Sequence, residues 1–303
     1  MRGASLLRLD GKLADISRVL QGLLTADVSR LSSAPIAAAF LTSKGRLIAD
    51  CTLFQHEDSV FIHADASLLP KLKGFVSMYK LRTPIDLHVV ETSVSWNPST
   101  PASSSGISFH DPRGKALGVW GFHLQGSVSK FLDQEEYDRA RVLHGVGEGQ
   151  EIVDEIPLEC NLDFLHAISF TKGCYLGQEL VARTKFKGIV RKRIVPFLAE
   201  SSIKSKYGLF EKFQKLHERI EDIYEQAPAA SEISKGSKVS STEGDVGEVI
   251  YFKEGRGLAK IRLDVLLKTN QLSVGQAKVF FHMPHWWPET DPVTERSVFE
   301  GLT

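Results

Sequence analysis

The sequence predicts an α+β protein that ends in a small β-barrel, and two observations carry that prediction. Up to residue 92, strand-like runs outnumber helical ones and a helix falls between strands, which favours an α+β layer over a doubly wound parallel sheet. Beyond residue 236 the apolar runs shorten and alternate with glycine turns, as in a small barrel. A chain of 303 residues has the length for two or three compact units. With 37 basic and 37 acidic residues it has no global field to draw it to nucleic acid or an anionic membrane. No apolar run is long enough to span a bilayer.

The start, Met1 to Asp10, enters ordinary patterned sequence at once, so neither a signal peptide nor a transit peptide is expected. Leu13, Ile16, Leu20, Leu23 and Leu24 then recur at helical spacing and predict a helix over 12–24. Ile36 to Leu41 and Leu47 to Phe54 read as two strands of a hairpin whose turn holds Gly45. A third strand over 60–63, a helix over 67–79 opened by Asp65, and a fourth strand over 85–90 follow. The serine- and proline-rich stretch from Ser93 to Gly106 reads as a loop. Short strands near 107–109 and 117–124 precede a helix over 133–144, which Gly145, Gly147 and Gly149 end.

Ile189 to Leu198 reads as a strand interrupted by Arg191-Lys192-Arg193. Leu209, Phe213, Leu216, Ile220 and Ile223 describe an amphipathic helix, either packed against the barrel or docking a partner. Strands near 238–239, 247–250, 257–259 and 278–281 would build the barrel. The expected regions are therefore 1–92 and 106–198, free to interleave, then a helical insertion over 199–235 and the barrel over 236–303.

The chemistry concentrates in Phe170 to Thr184, where Cys174 stands beside Gly173 and shortly before Gly177 and a helix over 178–184. Glycines beside a thiol let other backbone or a bulky ligand approach. Lys172 and the helix N-terminus favour negative charge and would shift the thiol toward thiolate. Such a group can be a nucleophile, a redox centre, a metal ligand or only a small packed residue, and position alone does not decide among them. His166, His144 or His110 could serve a nucleophile as base, though no cysteine-hydrolase signature is present. Three cysteines, at 51, 160 and 174, form no Cys-x-x-Cys pair and suggest a reducing compartment; Cys51 and Cys160 are expected in cores. Asp111-Pro112-Arg113 is expected to fix a turn, with Arg113 paired to a carboxylate.

The run Lys172-Gly173-Cys174-Tyr175-Leu176-Gly177-Gln178-Glu179 resembles the Lys-Gly-Cys-Tyr-x-Gly-Gln-Glu signature of the YgfZ family, relatives of the glycine-cleavage T-protein. Gly45 to Asp50, Arg191 to Arg193 and Trp286-Trp287-Pro288 resemble its mitochondrial branch of iron–sulfur cluster assembly factors. The resemblance covers residues 5–198 and 236–288. It implies a T-protein-like three-part arrangement of two mixed α/β layers and a C-terminal barrel, in a protein of the mitochondrial matrix. It also implies a [2Fe-2S] cluster shared with an A-type carrier, with Cys174 as this chain's ligand, in support of [4Fe-4S] clients such as aconitase-like and lipoate- or biotin-synthase-like enzymes. Lys172 would offset cluster charge, Gly173 and Gly177 would leave room, and Tyr175, Gln178 and Glu179 would support the motif.

The same resemblance implies a pocket for tetrahydrofolate or a derivative. A pterin edge suits carboxylates, its faces suit aromatics and its glutamate tail suits arginine, and Asp50, Glu159, Arg191, Arg193, Trp286 and Trp287 supply these types. The alternative is an enzyme, a folate-dependent aminomethyltransferase. Against it, the first of two adjacent acids in the T-protein is Ala49 here. A non-enzymatic factor is therefore expected, with no direct contact to nucleic acid.

Overall fold

A computed structural model of the protein describes residues 5–99, 106–124, 133–203, 233–269 and 271–298. The chain forms two compact units: one of Met1–Tyr137, Glu148–Pro157 and Leu162–Arg183, the other of Asp138–Gly147, Leu158–Asn161 and Thr184–Thr303.

The first unit is built on an antiparallel sheet of β1 (Ser5–Gly11), β2 (Ile36–Leu41), β3 (Leu47–His56), β4 (Ser59–His63) and β5 (Ile85–Glu91), in the order β2-β3-β4-β1-β5. Alternation along these strands gives the sheet two buried faces. Leu7, Leu9, Ala38, Phe40, Cys51, Leu53, Val60 and Ile62 pack against Ile16 and Leu20 of α1 (Leu13–Gln21) and Leu69, Leu72 and Val76 of α2 (Leu69–Tyr79). On the other face, the Phe54 ring stacks on Phe61 and lies 5.3 and 4.8 Å from Phe109 and Phe122 of a second sheet. That sheet, in the order β6-β8-β7, holds β6 (Ser93–Asn97), β7 (Ile107–His110) and β8 (Val119–His123).

β6 corrects the loop expected over 93–106. Its serines hid a strand in which Val94 and Trp96 are buried, and the Trp96 indole N–H donates to the Leu117 carbonyl at 2.7 Å. The helix expected over 67–79 begins as a 3-10 turn, with Asp65 accepting the Ser67 N–H as a cap.

Two further helices are α3 (Gln134–Leu143), capped by Asp133, and α4 (Gln178–Phe186). The second unit is a closed barrel in the order β10-β11-β12-β9-β14-β13. Its strands are β9 (Lys192–Ala199), β10 (Lys238–Ser241), β11 (Gly244–Lys253), β12 (Arg256–Arg262), β13 (Gln271–Val274) and β14 (Ala277–Phe281). Val195, Phe197, Val249, Ala259, Ile261, Val279 and Phe281 fill its interior. Pairing of β14 with β9 runs to Phe281 opposite Phe197, and the next residue, His282, still donates its N–H to the carbonyl of Pro196, which has no N–H to return a bond. The α+β class and the closed C-terminal barrel agree with the fold predicted from sequence. The amphipathic helix expected over 209–224 lies outside the described residues.

Candidate functional site

Cys174 is exposed, while Cys51 and Cys160 are buried as expected. The loop that carries it is tied down on both sides of the thiol. Before it, the Ser169 N–H donates to the Thr25 carbonyl; after it, the Leu176 N–H donates to the Gly22 carbonyl, each at 2.9 Å. Between these ties, Lys172 Nζ donates to the carbonyls of Gln21, Leu24 and Ala26 at 2.8, 2.7 and 2.9 Å. α1 ends at Gln21, and a helix leaves its last carbonyls without partners inside the helix. From a distant part of the sequence Lys172 meets that need at Gln21 and Leu176 meets it at Gly22, at the helix end where a cation is favoured; Leu24 and Ala26 lie in the chain that follows the helix.

Lys172 Nζ also lies 5.1 Å from the centroid of the Tyr175 ring. Burial pushes the ammonium down to about 8, against the pull of Asp27, and burial also pushes the Tyr175 phenol up. At the start of α4 the Tyr175 N–H donates to Gln178 Oε1 at 3.1 Å, closing the turn. Glu179 is exposed and pairs with Arg183 one turn on, at 3.4 Å.

The two motif glycines do different things. At Gly177, with φ of +81°, an added Cβ would stand 2.4 Å from the Thr42 carbonyl oxygen and 2.9 Å from the Leu41 side chain. There the β2–β3 turn presses directly on the motif. At Gly173 nothing lies within 4 Å of an added Cβ.

The residues expected around folate divide between the units. In the first, Asp50 is buried and accepts the Gly149 N–H at 2.8 Å. In the second, Arg193 is buried, donating to the Leu158 carbonyl at 2.7 Å and to Asn161 Oδ1 at 3.3 Å, with its guanidinium 5.8 Å from the Trp287 ring centroid. Glu159 stands 3.6 Å from Lys260 Nζ, and the Trp286 indole donates to the His144 carbonyl at 2.9 Å. Arg191 is exposed ahead of β9. Within that unit Arg193 and Trp287 are brought together beside the 158–161 turn. Asn161, which also donates to the Ile194 carbonyl at 2.8 Å, is a member that the sequence reading missed.

Asp111-Pro112-Arg113 does fix a turn. Arg113 donates to both oxygens of Asp111, to Glu148 Oε2 and to the Tyr137 hydroxyl, all out of solvent. Burial works against this guanidinium, but Asp111, Tyr137 and Glu148 hold its pKa above the ordinary value. Among the described residues no three His, Cys, Asp or Glu side chains stand together as a metal-holding group. No described helix is long and apolar enough to cross a membrane.

Comparison with known proteins adds four findings. The family described as "CAF17, C-terminal beta-barrel domain" matches residues 191–289. The chain is 34% identical over 214 residues to a protein of Mycosarcoma maydis, covering 60% of this chain and 52% of that protein. It is 30% identical over 279 residues to a protein of Pyricularia oryzae, covering 83% of this chain and 68% of that protein. Both are named "Iron-sulfur cluster assembly factor IBA57 homolog, mitochondrial". The chain thus spans from about half to about two thirds of the length of these relatives. In fold it is similar to the crystal structure of glycine cleavage system aminomethyltransferase T from Bartonella henselae, with a TM-score of 0.65 and 12% identity over 97% of this chain and 85% of that one.

Proposed function

This chain belongs to the family of the mitochondrial iron–sulfur cluster assembly factor IBA57, and from that premise we propose that it lends Cys174 to a [2Fe-2S] cluster shared with an A-type carrier. In that role it supports maturation of [4Fe-4S] proteins, aconitase-like and lipoate- or biotin-synthase-like enzymes among them, in the mitochondrial matrix. The reading rests on one contrast: of three cysteines, only Cys174 is exposed. A [2Fe-2S] cluster commonly takes four protein ligands, so a single available thiolate suits a cluster completed by a partner. The open space at Gly173 supports it, because partner backbone can approach there without displacing anything.

The test is anaerobic reconstitution of this protein with an A-type carrier, followed by absorption, circular dichroism and native mass. A heteromeric [2Fe-2S] complex is expected with the native chain and none with Cys174→Ala. Equal complex formation by both overturns the proposal.

A folate ligand is the second part of the reading, supported by Arg193, Trp287 and Glu159 in the second unit. Arg193 already serves Leu158 and Asn161, so the fit is to a face of this cluster and not to an open guanidinium. Titration with tetrahydrofolate, read by tryptophan fluorescence, should quench in the native chain and not in Trp287→Leu. The enzyme alternative gains no support, because Ala49 is buried in the apolar core with Phe40 and Cys51, where a carboxylate would lack solvent.

A further inference from the structure

Lys172 stands two residues from the exposed thiol, where a cation invites reading as a partner for ligand charge. Its geometry says otherwise. An ammonium has three N–H donors, and all three acceptors lie within 2.9 Å on main-chain carbonyls of residues 21, 24 and 26. The first closes the exit of α1 and the other two lie in the chain that leaves it, about 150 residues away in sequence. With the ties at Ser169 and Leu176, the loop caps that exit from outside the helix, and Cys174 sits on the span between the Lys172 and Leu176 anchors. Tyr175 covers the ammonium from one side, and Asp27 supplies the nearby negative charge.

We propose that Lys172 is a positioning residue: its ammonium, bound to the carbonyls of Gln21, Leu24 and Ala26, holds the Cys174 span in place and is not turned to the ligand. The functional weight of this placement rests on the reading of Cys174 as a cluster ligand; the tether itself does not. An arginine cannot replace it, because a planar fork directs its donors apart where the lysine converges three from one atom.

The test uses the full chain with Lys172→Met and Lys172→Arg, following hydrogen exchange at the Ser169 and Leu176 amides, with amides of β2 and β3 as internal reference. Both variants are expected to speed exchange at Leu176 at least tenfold while the β2–β3 amides stay unchanged, and to lower the yield of carrier complex at least fivefold. If Lys172→Met does not fold, Lys172→Arg carries the measurement alone. Native exchange in either folded variant overturns the proposal, and so does full recovery of complex by arginine, since charge alone would then suffice. Cys174→Ala separates the two claims. It leaves the tether in place, so exchange at Leu176 should stay native whatever happens to the cluster. If that variant still forms the complex, the ligand reading falls and the tether stands.

Discussion

The Cys174 loop and the Arg193–Trp287 cluster have the same ingredients, a buried or half-buried cation against an aromatic ring, at 5.1 Å in one and 5.8 Å in the other. In both, the cation donates to main-chain carbonyls, three at Lys172 and one at Arg193. They differ in what stands beside the cation. Next to Lys172 is an exposed thiol on a tied loop; next to Arg193 are Asn161, the Leu158 carbonyl and a half-buried indole. A conspicuous charge is therefore a poor guide to which atoms of this chain stand available to a ligand. The better guide is a reactive atom left outside while its neighbours are satisfied within.

The contrast can be broken most forcefully at Gly177. Alanine there must adopt a positive φ and meets the Thr42 carbonyl at 2.4 Å, so a loss of about 3 kcal/mol is expected in denaturant unfolding. Stability close to native would mean that the β2–β3 turn does not press on the motif.

The barrel unit should show its structural character through pH. Burial, with His285 adding to it, lowers His144 to about 4, below its ordinary 6.5. Between those values the unfolded chain binds the proton that the folded chain refuses, so stability is full above pH 6.5 and falls as pH drops toward 4. The loss is up to about 2 kcal/mol once solvent screening is allowed for. Melting temperatures across that window should drop less in His144→Gln; identical slopes would remove His144 from the account.

Arg193→Met should cost about 2 kcal/mol by leaving the Leu158 carbonyl and Asn161 without its bonds, and should leave carrier-complex yield unchanged. Loss of the complex at unchanged stability would instead give Arg193 a direct part in binding. The smallest effect is expected at Gly173, where alanine meets nothing and should shift stability by less than about 0.5 kcal/mol. A larger cost, read from the same unfolding curves, would show that the open space at this position is closed in solution.

Much of this was legible in the sequence where the signal is local. The β2–β3 hairpin, α1, α2 and α4 follow apolar periodicity and turn residues, and the expected bounds differ by a few residues at helix ends. β1 carries no clear strand signal, because Leu6-Leu7 breaks alternation in a strand buried between β4 and β5. No expectation covers β13, in which Leu272 and Val274 are the two buried apolar residues. At the site, an exposed cysteine flanked by glycine was readable, whereas the partners of Lys172 were not. Main-chain carbonyls carry no residue-type signature, and Gln21, Leu24 and Ala26 look like any helix exit. The sequence also treats Gly173 and Gly177 alike; only the packing of Thr42 tells them apart.

The place of β9 in the barrel bears on how the chain comes to be made. It pairs with β12 on one side and β14 on the other, yet both partners are synthesised after residue 255. A nascent chain therefore carries Ile194, Val195, Phe197 and Leu198 for a long stretch of translation with both strand edges unmatched. Such a strand is open to pairing with other chains, so a prematurely stopped product should be a strong aggregator and a client for chaperones. The barrel is thus a checkpoint on completeness: it closes only when the last strand, Ala277–Phe281, has arrived.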